Sequence, residues 1–305
     1  MTQAHDTARL AGLGTEAVRP DLHDLDQRTT ADLVRLAIDE HLAVDAALEH
    51  GADALVAAVD AVTERMRRGG RLIYLGAGTP GRLAALDAAE CPPTYGVPPE
   101  VVVAVVAGGA VGAVRSTEHS EDEGDAAVAA LDELGVTEAD AVVGITASGR
   151  TPYVVAGLRS ARARGALTVS VANNQGAETS DVAEIAIETP TGPELVAGST
   201  RLKAGTAQKI VLNALSTLVM VRLGKTFGNL MVDLALANGK LRDRGRRIVE
   251  AATGASSDAA AAALEQAEGS VKVAVVMLLG DVSAADAAGR LALGRSVREA
   301  LRSGG

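Results

Sequence analysis

The chain has 305 residues, enough to bury a sizeable core in one or two domains. Hydrophobic residues make up 48%, which argues against overall disorder, and a net charge of −10 argues against a nucleic-acid or anionic-membrane partner. The single cysteine, Cys91, leaves no internal disulfide and fits a reducing cytoplasm, while no apolar run reaches the ~18 residues of a membrane span.

Residues 1–29 are polar and irregular and read as an arm with little structure of its own. Apolar periodicity predicts helices over 30–50 and 52–68, and Gly69-Gly70 stops the second. Strand-like runs follow at 72–75, 101–106, 141–145, 167–171 and 185–187, with helical stretches between most of them, notably 126–134 and 154–164. Strands alternating with helices predict an α/β fold: a parallel sheet covered on both faces, with ligands at the carboxyl ends of its strands. A long helix is expected over 204–223. Beyond Gly224 no strand is clear, and helical stretches over 230–252, 257–268 and from 284, with a short apolar run at 271–279, predict a C-terminal helical subdomain.

Arg71 to Gly96 is the most informative stretch. Its apolar run feeds the turn Gly76-Ala77-Gly78-Thr79-Pro80-Gly81, which opens a helical segment. A strand, a turn with free amides and a helix N-terminus make an anion site, and the glycines fit a phosphate cradle at Gly78, Thr79 and Gly81. The same glycines fit a dinucleotide fingerprint. That reading needs an acidic residue at the end of the next strand, and 101–106 ends in Ala107-Gly108-Gly109 instead. The segment delivers one carboxylate, Glu90, just before Cys91-Pro92-Pro93; it is expected at a helix C-terminus and buried, a setting suited to a proton donor.

A second strand–turn–helix unit reads Thr146-Ala147-Ser148-Gly149-Arg150-Thr151-Pro152-Tyr153. Ser148, Gly149 and Thr151 can clamp a phosphate from the other side, although each turn alone could simply cap its own helix. The loop before the long helix supplies further donors at Ser199, Thr200 and Lys203. With five scattered histidines and one cysteine, no metal site is visible. Aromatics are scarce, one Phe, three Tyr and no Trp, so a stacking platform for a sugar polymer can hardly be built.

These motifs resemble those of the bacterial N-acetylmuramic acid 6-phosphate etherases, within the sugar-isomerase (SIS) superfamily of phosphosugar-binding folds. The likeness is carried by Gly76-Ala77-Gly78-Thr79, Gly81-Arg82-Leu83, the stretch from Glu90 to Gly96, the stretch from Ala147 to Tyr153, the stretch from Ala197 to Lys209, and Gly228-Asn229-Leu230-Met231-Val232-Asp233. It implies a three-layer SIS domain over 53–224, preceded by an arm and helix (1–52) and followed by the helical subdomain (225–305). It further implies cleavage of the D-lactyl ether at carbon 3 of the sugar, in the cytoplasm, without cofactor or metal, by a homodimer. By resemblance Glu90 is the acid and Glu121 the base. The residues alone read the cluster Glu118, Glu121, Asp122, Glu123 and Asp125 as a solvated helix face. Two departures stand out. Pro80 replaces the family's usual serine, removing a hydroxyl and an amide, and the N-terminal Thr15-Glu16 segment lacks the asparagine expected there, having Arg19-Pro20 instead. Two other classes remain: a phosphosugar-binding regulatory protein without catalysis, and an aldose–ketose phosphosugar isomerase.

Overall fold

Leu72–Gly76 (β1), Val102–Val106 (β2), Ala141–Thr146 (β3), Leu167–Ala172 (β4) and Ile185–Glu188 (β5) form one parallel sheet in the order β2-β1-β3-β4-β5. Every residue of β1, β3 and β4 is buried, including the hydroxyl residues Thr168 and Ser170 of β4, as strands covered by helices on both faces require. Gly76 pairs with both Val106 and Ile145, and Thr146 with Ala172, so the carboxyl ends lie level. The chain leaves β1 for one side of the sheet and returns to β3 on the other. The crevice between the ends of β1 and β3 is therefore the topological switch point, where such sheets bind ligands.

This computed structural model describes residues 12–115, 119–236, 238–292 and 295–302. Residues 1–11 of the arm, Ser116, Thr117 and Glu118 of the acidic stretch, and Ala237 of the expected 230–252 helix lie outside the described residues. The helices of the sheet region are Thr30–Asp39 (α1), Leu42–Arg67 (α2), Gly78–Tyr95 (α3), Gly109–Val114 (α4), Gly124–Glu133 (α5), Pro152–Ala163 (α6), Glu178–Val182 (α7) and Lys203–Arg222 (α8). Ile73, Leu75 and Val142 from the sheet pack with Leu131 of α5 and Val154 and Leu158 of α6 in one buried cluster.

By internal contacts the chain divides into two units, Met1–Ala88 with Glu100–Leu215, and Ala89–Pro99 with Ser216–Gly305. In the second unit an antiparallel hairpin, Thr226–Phe227 (β6) with Leu230–Met231 (β7), occupies a region expected to lack strands. Helices Gly239–Thr253 (α9), Ser257–Gln266 (α10), Val271–Gly280 (α11), Ala284–Leu291 (α12) and Val297–Arg302 (α13) follow. Asn238, Ser256, Ser270 and Ser283 cap the first four of these through their side chains. Val232, Ile248, Val275 and Val297 belong to this unit's own core.

Four expectations need correction. The arm is ordered over 12–29: it makes three 3-10 turns, and Thr15 is fully buried. The first helical break falls at Glu40-His41, not at Gly51, which is buried within α2; a Cβ there would lie 3.1 Å from the Glu188 carbonyl. Helix α3 does not stop at the prolines but runs through Pro92 and Pro93 to Tyr95, closed by the Gly96 N–H donating to the Pro92 carbonyl. Finally, α8 does have the length and mean hydropathy of a membrane-crossing helix, but Ala204, Ala207, Val211, Leu212 and Leu215 are buried inside the protein.

Candidate active site

The turn after β1 enters α3 at Gly78, whose φ of +59° suits a residue without a Cβ. Amides in the first turn of a helix have no intrahelical partner, so those of Gly78 and Thr79 point out of the helix end; Pro80 contributes none. Gly81 has a different task. A Cβ there would meet the Gly76 carbonyl at 2.7 Å and Val106 at 2.8 Å, so this glycine lets α3 pack directly on β1 and β2. The turn after β3 is held by hydroxyls. Thr146 Oγ1 lies 2.7 Å from Thr151 Oγ1 and 3.3 Å from Ser148 Oγ, and accepts the Gly149 N–H; the Arg150 N–H donates to Ser148 Oγ. Gly149 has φ of +76°, and a Cβ would lie 2.3 Å from that of Ala177, so it too serves the backbone path.

These two turns form the floor of a cavity of about 440 Å³ in the first unit. Ala77, Gly78, Thr79 and Pro80 line it from one side, and Thr146, Ala147, Ser148, Arg150, Thr151 and Pro152 from the other. Thr200 arrives from the loop before α8, Glu121 and Asp122 from the segment before α5, and Glu16 from the arm. Thr79 approaches α8 closely, its methyl 3.6 Å from where a Cβ on Gly205 would sit. The floor is thus built of hydroxyls and helix-end amides, with one guanidinium, that of Arg150. This set matches a phosphate held by short-range donors in an acidic protein. Carboxylates form the remaining wall.

The Glu121 carbonyl accepts the Tyr153 N–H at 3.0 Å, which ties the acidic segment to the first turn of α6. Glu121 is exposed as a residue, yet partial burial of its carboxyl and the neighbouring charge of Asp122 push its pKa up. That makes it a stronger base than an ordinary glutamate. Glu90 lies within α3 rather than at its end, belongs to the second unit and is exposed.

Two other expected binding residues lie elsewhere. Ser199 is half-buried, its N–H donating to the Val196 carbonyl. Lys203 is buried, with Nζ 2.6 Å from Glu40 Oε2, and Glu40 also pairs with Arg19. The Lys203 and Ala204 N–H groups are capped by the buried carboxylate of Glu194 at 3.0 and 2.9 Å. Lys203 therefore fastens α8 to the end of α1.

Sequence reasoning singled out neither Thr146 nor Arg150, although both lie inside the quoted motif. It also missed Asp122 and Glu16 as cavity residues. The resemblance touches the Thr15-Glu16 segment only through a missing asparagine, with Arg19-Pro20 in its place, and gives Glu16 no role; the burial of Thr15 shows only in three dimensions.

Residues 123–218 match the family model of the SIS domain, and residues 54–162 that of the glucokinase regulatory protein N-terminal SIS domain. N-acetylmuramic acid 6-phosphate etherase of Rubrobacter xylanophilus is 54% identical, over 97% of this chain and 98% of the relative. Its namesake in Streptomyces coelicolor is 53% identical over 93% and 92%. That in Geobacillus thermodenitrificans is 48% identical over 96% and 99%. This chain belongs to the N-acetylmuramic acid 6-phosphate etherase family. Within the family's SIS fold, the cavity at the switch point is the natural place for the ligand.

Proposed function

We infer that this chain is an N-acetylmuramic acid 6-phosphate etherase, a carbon–oxygen lyase of cell-wall sugar recycling that works in the cytoplasm. The observation that carries this is 54% identity to an enzyme of that name over 97% of the chain. The cavity chemistry agrees: two donor turns suit a sugar phosphate, and a carboxylate of raised pKa lies in the same wall.

In the proposed reaction the 6-phosphate sits against Gly78, Thr79, Ser148, Thr151 and Thr200. Gly81 and Gly149 shape the two turns, while Ser199 and Lys203 act through the loop and helix that carry Thr200. Glu121 removes the proton from carbon 2 of the ring-opened sugar. The carbon 3–oxygen bond breaks, and Glu90 gives a proton to the departing lactate oxygen. Water then adds across the carbon 2–carbon 3 double bond, yielding N-acetylglucosamine 6-phosphate and D-lactate. Two carboxylates in different surroundings can divide such work between base and acid. No step calls for a metal or a redox cofactor. We assign the SIS domain to 53–224, the arm and first helix to 1–52 and the helical subdomain to 225–305, and we expect a homodimer.

Incubating the protein with N-acetylmuramic acid 6-phosphate and measuring free D-lactate tests this reading. Lactate is expected, with kcat/KM at least about 100-fold lower for the sugar without phosphate, since hydrogen bonds to charged groups contribute ~1.5–3 kcal/mol each. The match of residues 54–162 to the glucokinase regulatory protein domain favours a second reading, a phosphosugar binder without turnover. Tight binding with no lactate released would establish that instead.

A further inference from the structure

Glu16 lines the cavity although it comes from the arm, far in sequence from every other wall residue. Its position is fixed by what surrounds it. Thr15 is fully buried, and its N–H donates to Asn174 Oδ1 at 3.3 Å. The Asn174 side-chain amide donates in turn to Thr15 Oγ1 and to the Ala147 carbonyl, both at 3.0 Å. Ala147 belongs to the hydroxyl-rich turn, so the arm is fastened to the cavity floor itself. On the other side, Gly198 has φ of +73°, and a Cβ there would lie 3.1 Å from Glu16 Oε2. The carboxylate thus lies against the loop that brings Thr200. Arg19, three residues on, is held by Glu40, which also holds the buried Lys203. Glu16 itself is exposed, so it is the backbone beneath it, through the buried Thr15, that is braced against the cavity floor.

A carboxylate beside an anion cradle repels the anion. It is an acceptor-only group, so the part of a sugar phosphate it suits is the polyol chain, whose hydroxyls donate. We propose that Glu16 is a substrate-contacting, specificity-determining residue: it accepts hydrogen bonds from hydroxyls of the phosphosugar and makes the cavity select a sugar phosphate over a bare phosphate. The proposal rests on the phosphosugar-etherase reading given above.

The test uses opposite signs. The full chain and its Glu16→Gln and Glu16→Ala variants are titrated calorimetrically with N-acetylglucosamine 6-phosphate and, separately, with inorganic phosphate. Loss of the carboxylate is expected to weaken the sugar phosphate about tenfold or more, because a charged acceptor is lost. Inorganic phosphate is expected to bind as well or better, because a repelling charge is gone. KM for the muramic acid substrate should rise more than kcat falls. Equal affinities for the sugar phosphate in parent and variants would overturn the proposal. So would parallel weakening of both ligands, which marks Glu16 as a structural brace; a thermal melt of Glu16→Gln shows whether the fold is intact in that case. If the parent itself fails to bind the sugar phosphate, the etherase reading falls and this inference falls with it; a binding parent with unaltered variants removes the inference alone.

Discussion

Glu121 is proposed to act before Glu90, so their variants should fail at different steps. Glu90→Gln keeps the base: carbon 2 can still lose and regain its proton, and the substrate should exchange that hydrogen with deuterated solvent while little lactate forms. Glu121→Gln removes the first step, so exchange and lactate release should fall together, each by the ~10²–10⁴-fold usual for a positioned base. NMR of unreacted substrate reads exchange; normal exchange in Glu121→Gln with none in Glu90→Gln would reverse the roles. The pH profile follows from the environment of the base. Burial, then the charge of Asp122, raise the Glu121 pKa above 4.5. A base works only when deprotonated, so kcat/KM should rise with pH through that elevated value. Asp122→Asn removes one of the two causes and should move the acidic limb to lower pH. A limb that stays in place, with activity intact, would separate Glu121 from the rate-determining proton transfer.

The elements were largely legible because their signals are local. Each of β1 to β5 is a short, mainly apolar run, broken in β4 only by the buried hydroxyls of Thr168 and Ser170 and in β5 by the terminal Glu188, and each was placed within a residue or two. What escaped depends on distant partners. Proline normally ends a helix by removing an N–H and crowding the preceding turn, yet α3 continues past Pro92 and Pro93. Gly51 reads as a break, but its bareness serves the approach of α2 to β5. Thr15 reads as part of an irregular arm and Lys203 as a ligand donor until Asn174 and Glu40 are beside them. Similarly, nothing local marks Asp140, 2% exposed, as a clasp at the amino ends of β1 and β3. It accepts the Arg71 N–H at 3.0 Å, the Arg71 guanidinium at 3.0 and 2.8 Å, and the Thr137 N–H at 3.0 Å. Burial opposes its ionisation, but these donors outweigh it and hold its carboxyl below the ordinary 3.8. Its contribution to stability is therefore complete above that value and lost as pH falls through the lower, folded-state one. Asp140→Asn should cost about 2–4 kcal/mol at pH 7, discounted from the ~3–5 kcal/mol of breaking a fully buried charge pair because Arg71 is a quarter exposed. It should also flatten the stability loss below pH ~4. Denaturant midpoints across pH measure both, and an unchanged slope would show that other carboxylates dominate acid unfolding.

At the scale of the whole molecule, the proposed homodimer has a place to form. Helix α1 buries none of its residues, although its sequence is amphipathic. Val34 is 54% exposed, Ile38 64% and, at the start of α2, Leu42 74%. Beside them Leu22, Leu25, Leu33, Val34, Leu195 and Val196 line a shallow apolar cavity of about 580 Å³. Single exposed aliphatics are ordinary; a set gathered from α1, the start of α2, the arm and the adjoining loop marks an interaction surface. A two-fold contact uses each residue twice, so one buried isoleucine at ~1.5–3 kcal/mol contributes about 3–6 kcal/mol to the dimer. That is roughly 10²–10⁴ in the association constant. Light scattering of the parent should give twice the 30.8 kDa chain mass, and Ile38→Asp should give the monomer at micromolar concentration with its melting temperature little changed. Leu195 and Val196 lie in the loop, residues 189–202, that carries Thr200 into the cavity, so the same substitution should also raise KM by loosening that wall. A parent that runs as a monomer, or an Ile38→Asp variant that remains dimeric, would take the interface away from α1. A monomeric variant with an unaltered KM would leave the interface in place and show that the loop is braced within one chain by Glu194, Lys203 and Glu40.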